Sequence, residues 1–255
     1  MNPSEPAPDE HSVRRFTNRA DDYARFRPAY PSAAIDAVLA GLAPPERLAA
    51  ADVGAGTGIS ARLLAERGVA VTAIEPNAAM RAAGAPHPRV AWRDGTAEAT
   101  GLADRAVDLV LCAQAFHWFA VEPTLREFQR ILKPNGRLAL VWNRRSTDDP
   151  FAMGYRAALE AIDGEAPAER SNFDPAKVTA SGRFGGHRLV LADNATPLTF
   201  EQLRGRALST STVPREGPRL DRLLGLLREL HARHADAHGV ATMRYRTQVH
   251  LFDAC

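Results

Sequence analysis

The feature that most constrains this chain is a glycine-rich turn, Asp52-Val53-Gly54-Ala55-Gly56-Thr57-Gly58. It lies directly between an apolar run, LAAADV (48–53), and an amphipathic segment, ISARLLAERG (59–68). Apolar runs of strand length alternating with helical segments predict a parallel sheet covered on both faces. Glycines between the first strand and its helix let the backbone turn sharply and approach a ligand closely. The carboxyl ends of the strands form the usual ligand crevice of such a sheet.

The rest of the chain continues the alternation. VAVTAI (69–74), RVAW (89–92), VDLVLCA (107–113) and RLALVW (137–142) read as strands. NAAMRAA (77–83) and VEPTLREFQRIL (121–132) read as helices, and Lys133-Pro134-Asn135-Gly136 reads as a turn. Ser32 is a candidate N-cap for a helix with Ile35, Val38, Leu39 and Leu42 on one face. Residues 143–186 break the rhythm with loops and one helical stretch near 150–162. A strand at 187–193, helices near 199–208 and 218–234, and an alternating strand at 241–252 follow. Five stretches are expected. These are a disordered tail at 1–10, an N-terminal helical segment at 11–47, a ligand-binding core at 48–142, an insertion with helices at 143–240, and a terminal strand of the sheet at 241–255.

Composition closes off several functions. The 255 residues are 45% hydrophobic and 24% charged, ordinary for a soluble domain. A net charge of +2 gives no case for a nucleic-acid or membrane-surface protein. Two cysteines, Cys112 and Cys255, exclude a disulfide framework and a thiolate zinc site. No run approaches the roughly 20 apolar residues of a bilayer span. The first ten residues lack the pattern of a secretory signal, so the expected location is the cytoplasm. His234 and His238 have a metal-like i, i+4 spacing but no HExxH context, so no metal is expected and a polar helix face is the reading for His231, His234 and His238.

Candidate site residues cluster at successive strand ends. Glu75 ends the second strand, where a carboxylate can accept both hydroxyls of a ribose. Gly95-Thr96-Ala97-Glu98 follows the third strand, and Gln114 ends the fourth. The glycine spacing is G-x-G-x-G, whereas a dinucleotide fingerprint needs G-x-G-x-x-G and position 59 is Ile.

ADVGAGTG, AIEPNAAM, GTAEATGLADRAVDLVLCAQAFHWF and ILKPNGRLALVWN together resemble the class I S-adenosylmethionine-dependent methyltransferases. RADDYARFRPAYP and AQAFHWF resemble, more narrowly, a small-molecule subgroup that includes trans-aconitate methyltransferase-like proteins. The resemblance implies a Rossmann-like, doubly wound α/β fold with seven strands in the order 3-2-1-4-5-7-6, the last antiparallel. It implies S-adenosylmethionine as cofactor, and methyl transfer to the O, N or C atom of a small molecule. It places Gly54, Ala55 and Gly56 under the methionine part of the cofactor, with Asp52 orienting that loop or meeting the amino group. It assigns Glu75 to the ribose and Pro76 and Met80 to the adenine. Many relatives have Asp where this chain has Thr96, so the adenine N6 contact would pass to the Thr96 hydroxyl or to backbone groups.

Tyr23 and Arg27 would then form a lid over the cofactor, with Tyr30 beside the acceptor; a guanidinium and a phenol suit the methionine carboxylate. His117 follows the fourth strand and is the candidate proton acceptor. Trp118, Asn143 and Arg144 are the remaining candidates for the acceptor side, and Arg144 with Arg145 could meet an anionic acceptor. Two other readings stay open: a cofactor-binding partner subunit without catalysis, and a nicotinamide-dependent dehydrogenase, which the glycine spacing disfavours. A nucleic-acid amino-methyltransferase would carry an Asp/Asn-Pro-Pro-aromatic motif where this chain has Gln114-Ala115-Phe116-His117.

Overall fold

A computed structural model describes residues 20–163, 173–210 and 212–255. The expected tail at 1–10, and residues 11–19 of the expected N-terminal helical segment, lie outside the described residues. The fold is α/β. Seven strands form one sheet in the order β3-β2-β1-β4-β5-β7-β6. These are β1 (Ala49–Val53), β2 (Ala70–Ile74), β3 (Val90–Arg93), β4 (Val107–Ala113), β5 (Leu132–Arg145), β6 (Phe184–Leu198) and β7 (Ala241–Ala254). The first five pair in parallel, and β7 runs antiparallel to both β5 and β6. This is the order that the resemblance implies.

The order follows from where the apolar residues go. Leu109, Val110, Leu111 and Cys112 of β4 are all fully buried, because helices cover both faces of the central strands. On one face α2 (Ser32–Leu39) and α3 (Ile59–Ala65) bury Ile35, Val38 and Leu64 against β1, β2 and β4. On the other, α5 (Val121–Ile131) buries Leu125, Phe128 and Ile131, residues three and six apart along the stripe facing the sheet. Removing the Phe128 side chain would cost about 3–5 kcal/mol, the usual range for a buried aromatic.

Two elements differ from the pattern in the sequence. β5 is longer than 137–142: Leu132 pairs with Val107, the register shifts, and Arg137 then pairs with Leu109. Lys133–Gly136 therefore turns outward as a bulge within the strand, with Asn135 at φ 60°. The helix after the glycine turn stops at Ala65, and the chain reverses through Gly68 at φ 102°.

The C-terminal part adds a third core. Helices α6 (Pro150–Asp163), α8 (Phe200–Leu208) and α9 (Pro218–His234) pack Phe151, Tyr155, Leu203, Leu223 and Leu227 against Met243 and Tyr245 of β7. His231 belongs to this core, which corrects the expectation of a polar face. It is 7% exposed and its Nε2 lies 3.0 Å from the Leu198 carbonyl. His238 lies beyond the end of α9. A short helix α7 (Ala176–Thr179) precedes β6. Finally, α1 (Ala20–Phe26) lies on α8, where the Phe26 ring occupies the space that a side chain at Gly205 would fill.

Candidate active site

The turn after β1 is built by three left-handed glycines, Gly54 at φ 69°, Gly56 at φ 58° and Gly58 at φ 75°. A side chain is strained on either of the first two backbones, and at Gly54 it also has no room. A Cβ on Gly54 would come within 2.6 Å of Ala115 Cβ and 2.9 Å of the Phe119 ring. A Cβ on Gly56 would point between Met80, at 3.4 Å, and Tyr23, at 3.7 Å. The amides of Gly54 and Ala55 are tied back to the Ile74 carbonyl at 2.9 and 3.1 Å, so the loop is fixed to the end of β2.

Glu75 completes that clamp. Its Oε2 accepts from the Gly56 amide and its Oε1 from the Asn77 amide, both at 2.9 Å. Burial raises its carboxyl above the usual range, while those two amides oppose the shift. Asn77 then caps α4 (Ala78–Ala82) by accepting from the amides of Ala79 and Met80. Thus one carboxylate sets the glycine loop, and the residue two further on sets the helix carrying Met80.

Asp52 is fully buried beneath the loop. Its Oδ2 accepts from Ser60 Oγ at 2.7 Å, and its Oδ1 has no partner among the described residues. Burial pushes its pKa up to about 7, against the pull of the Ser60 hydroxyl and the Ala61 amide. Asp52 does not line the cavity above; it lies beneath the loop that does.

Above these groups lies a cavity of about 260 Å³. Its walls include Tyr23 and Arg27 on one side, Gly54, Gly56, Glu75, Pro76 and Met80 at the floor, and Gln114, His117 and Trp118 at the far side. Gln114 is held at φ 59°, with its amide on the Val141 carbonyl and its side chain on the Asn143 carbonyl. His117 sits on a single 3-10 turn, Phe116–Trp118, exposed at the cavity, with its ring centroid 4.8 Å from that of Trp118. Arg27 stacks over the Tyr23 ring at 4.8 Å and donates from Nη2 to the Ser209 carbonyl at 3.3 Å.

Several expected residues stand elsewhere. Ala55 is buried behind the loop, and Ala97 is buried in the core under α5. Thr96 and Ala99 exchange backbone hydrogen bonds at 3.2 and 3.3 Å, so Gly95–Ala97 forms a closed turn beside the cavity walls rather than part of them. Tyr30 packs against the first core, where burial raises its phenol. Asn143 spends its side chain on the fold: Oδ1 accepts from Thr247 Oγ1 at 2.6 Å and Nδ2 donates to the Ala29 carbonyl. Arg144 reaches across to Gln248 of β7 at 3.4 Å. Sequence reasoning missed Asn77 and Thr210 as wall residues. The cap position after Glu75 was a usable signal for Asn77; nothing local marks Thr210.

An α/β sheet of this order with a glycine-floored crevice at its strand ends defines the Rossmann-like methyltransferase architecture. The comparisons with known proteins agree. Residues 51–140 match the model of a methyltransferase domain family. An uncharacterized methyltransferase of Mycobacterium tuberculosis is 34% identical over 235 residues, covering 89% of this chain and 90% of that protein. The chain belongs to the methyltransferase family. Among solved structures, a candidate type II methyltransferase from Anaeromyxobacter dehalogenans superposes with a TM-score of 0.64 at 22% identity, covering 90% of this chain and 97% of that one. Geranyl diphosphate C-methyltransferase from Streptomyces coelicolor, solved with Mg2+, geranyl diphosphate and S-adenosyl-L-homocysteine, gives 0.53 at 14% identity over 98% and 100% of the two chains. Family and neighbours support S-adenosylmethionine as cofactor. The residues fit it: the space over Gly54 and Gly56, the Glu75 carboxylate and the apolar side chains of Pro76 and Met80 all line the same cavity. Among the described residues no group of His, Cys, Asp and Glu could hold a metal, and no helix is long and apolar enough to cross a membrane.

Proposed function

We propose that the protein transfers a methyl group from S-adenosylmethionine to an O, N or C atom of a small-molecule acceptor, as in the trans-aconitate methyltransferase-like subgroup. The observation that carries this reading is the floor of the cavity. Gly54 and Gly56 leave it open while Glu75 ties the same loop from beside it. When bound, S-adenosylmethionine supplies an already activated methyl group for in-line displacement.

The chain's contribution is therefore mainly positioning. Gly54, Ala55 and Gly56 shape the bed for the methionine part, and Asp52 steadies it from below. Glu75 keeps lone pairs for the ribose hydroxyls beyond the two amides it already binds. Pro76 and Met80 offer an apolar wall to the adenine, with Gln114 on the far side of the same cavity. Tyr23 and Arg27 cover the methionine end and exclude water. His117 and Trp118 face the acceptor; His117 takes the proton when the acceptor atom carries one. Near-neutral net charge argues for a small acceptor over nucleic acid.

Calorimetric titration tests the cofactor: S-adenosylmethionine and S-adenosylhomocysteine should bind and NAD should not. Micromolar NAD binding without a response to either sulfur compound would overturn the assignment. A screen for S-adenosylhomocysteine release across small acids, phenols and amines separates an enzyme from a non-catalytic partner subunit.

A further inference from the structure

The two ends of the sheet are finished differently. At one end β3 is four residues long, and its Trp92 ring lies against Gly58 and Gly84. At the other end β6 runs for 15 residues, and among the described residues no strand pairs with its outer side. Its register against β7 is unbroken from Arg188 to Leu198, and no proline falls in it before Pro197. An open, regular edge is a template for another strand, and most proteins blunt it with prolines, bulges or outward charges.

Here the middle of the edge is apolar instead. Leu189, Val190 and Leu191 are 47%, 37% and 50% exposed, three of the four large hydrophobic side chains left exposed among the described residues. The charges on either side turn inward onto β7. Arg188 donates to both carboxylate oxygens of Asp253, at 2.6 and 2.8 Å, and Asp193 pairs with Arg246 at 3.2 Å. Successive side chains of a strand point to opposite faces. Leu189 and Leu191 therefore share one face with His187 and Asp193. Val190 lies on the other, with Ala192, which is buried in the first core.

We infer that the outer edge of β6 is a dimer interface, pairing antiparallel with β6 of a second copy about a two-fold axis at Val190. Symmetry selects this occupant. A two-fold axis normal to an antiparallel pair passes between one residue and its own copy. Centred on Val190, the ladder sets Leu189 opposite Leu191 of the second copy, twice, and His187 opposite Asp193 of the second copy. The apolar centre meets itself, and at each end an imidazole meets a carboxylate. An axis at Leu191 would set Leu189 opposite Asp193, and an axis at Leu189 would set Arg188 opposite Val190. The side-chain pattern thus picks one register. The contact is one ladder with its flanking side chains, small for a specific interface, so a dissociation constant in the micromolar range is expected. The interface does not depend on what the crevice binds.

Sedimentation equilibrium of the full chain over a concentration series tests the contact. The wild-type protein should pass from monomer to dimer. Leu189→Lys combined with Leu191→Lys sets lysines opposite lysines and should raise the dissociation constant about 100-fold or more. Both positions are exposed, so the melting point of the monomer should stay near wild type. Cysteine cross-linking reads the register, in a Cys255→Ser background, because Cys255 is exposed and Cys112 is buried. Val190→Cys should give a disulfide-linked dimer on mild oxidation, since directly opposed Cα atoms lie about 4.5–5.5 Å apart, within disulfide reach. Leu189→Cys should not, because its own copy lies diagonally across the ladder at about 7–8 Å, past that reach. A wild-type protein that stays monomeric well above micromolar concentration overturns the interface and leaves the edge to a different partner. A dimer that survives the two lysines, or equal cross-linking through Val190→Cys and Leu189→Cys, overturns it as well.

Discussion

The floor of the crevice and the helical layer beside it are built by different means. The floor is backbone: three left-handed glycines, amides held by Ile74 and Glu75, and a strand-end carboxylate, all drawn from residues 52–80. The helical layer is side chain: Arg27, Tyr155 and the pair Arg206 and Thr210 come from three distant parts of the chain. A backbone site serves a ligand that is the same in every relative, since it depends on spacing more than on residue identity. A side-chain site can be exchanged residue by residue, which suits the part of the reaction that varies.

His117 offers the largest test of that division. With an acceptor found by product-release screening, His117→Ala should reduce turnover roughly 10²- to 10⁴-fold, the range for a lost general base. S-adenosylhomocysteine affinity should not change. A large loss of cofactor affinity with intact acceptor kinetics would move His117 to the cofactor side and blur the comparison.

On the floor, Gly54→Val is the sharpest change. It forces a β-branched side chain into a left-handed backbone with Ala115 and Phe119 already in contact distance. The combined strain and overpacking should cost about 2–5 kcal/mol of stability, read by urea unfolding. Cofactor binding should be lost in the fraction that still folds. A folded variant with wild-type binding would show that the loop has slack that the short contacts do not suggest.

Glu75→Ala comes next. It removes the acceptor proposed for the ribose hydroxyls and releases the amides of Gly56 and Asn77. Charged hydrogen bonds of about 1.5–3 kcal/mol correspond to a loss of roughly 10- to 100-fold in S-adenosylhomocysteine affinity. An unchanged dissociation constant would confine Glu75 to holding the loop.

The same contrast explains what could be read from residues alone. VDLVLCA announced β4 because a strand covered on both faces is apolar at every position. The glycine turn and Glu75 were legible because their geometry is set within a few residues of themselves. Lys133–Gly136 was read as a turn, yet the strand runs through it, since a bulge and a turn have the same local composition. Asn143 sits at the expected rim, but its oxygen meets Thr247, a partner 104 positions away that no local pattern reveals. Nothing in the sequence around Arg206 marks it as buried; its guanidinium is covered by Tyr245 of β7, a residue far along the chain.

The smallest effect concerns the link between the two regions. Helix α1 brings Tyr23 to the crevice wall, and Arg27 follows just beyond its end, while the helix is seated on α8. Among the contacts that hold it are the Phe26 ring in the gap left by Gly205, the Arg27 bond to the Ser209 carbonyl at 3.3 Å just past α8, and an ion pair at 2.9 Å between Asp22 and Arg215, which precedes α9. The ion pair is partly exposed, 28% at Asp22 and 46% at Arg215, so water competes for both charges. Pairs of this kind contribute about 0.2–1 kcal/mol. Asp22→Asn should therefore weaken S-adenosylhomocysteine binding by less than about fivefold. Even that difference should vanish in 1 M salt, where screening acts within about 3 Å. Aromatic packing at Gly205 would then be what seats the helix. A tenfold or greater loss that salt abolishes would reverse this order. The cover of the crevice would then be an electrostatic latch thrown from the helical layer, and the two regions would no longer be independent.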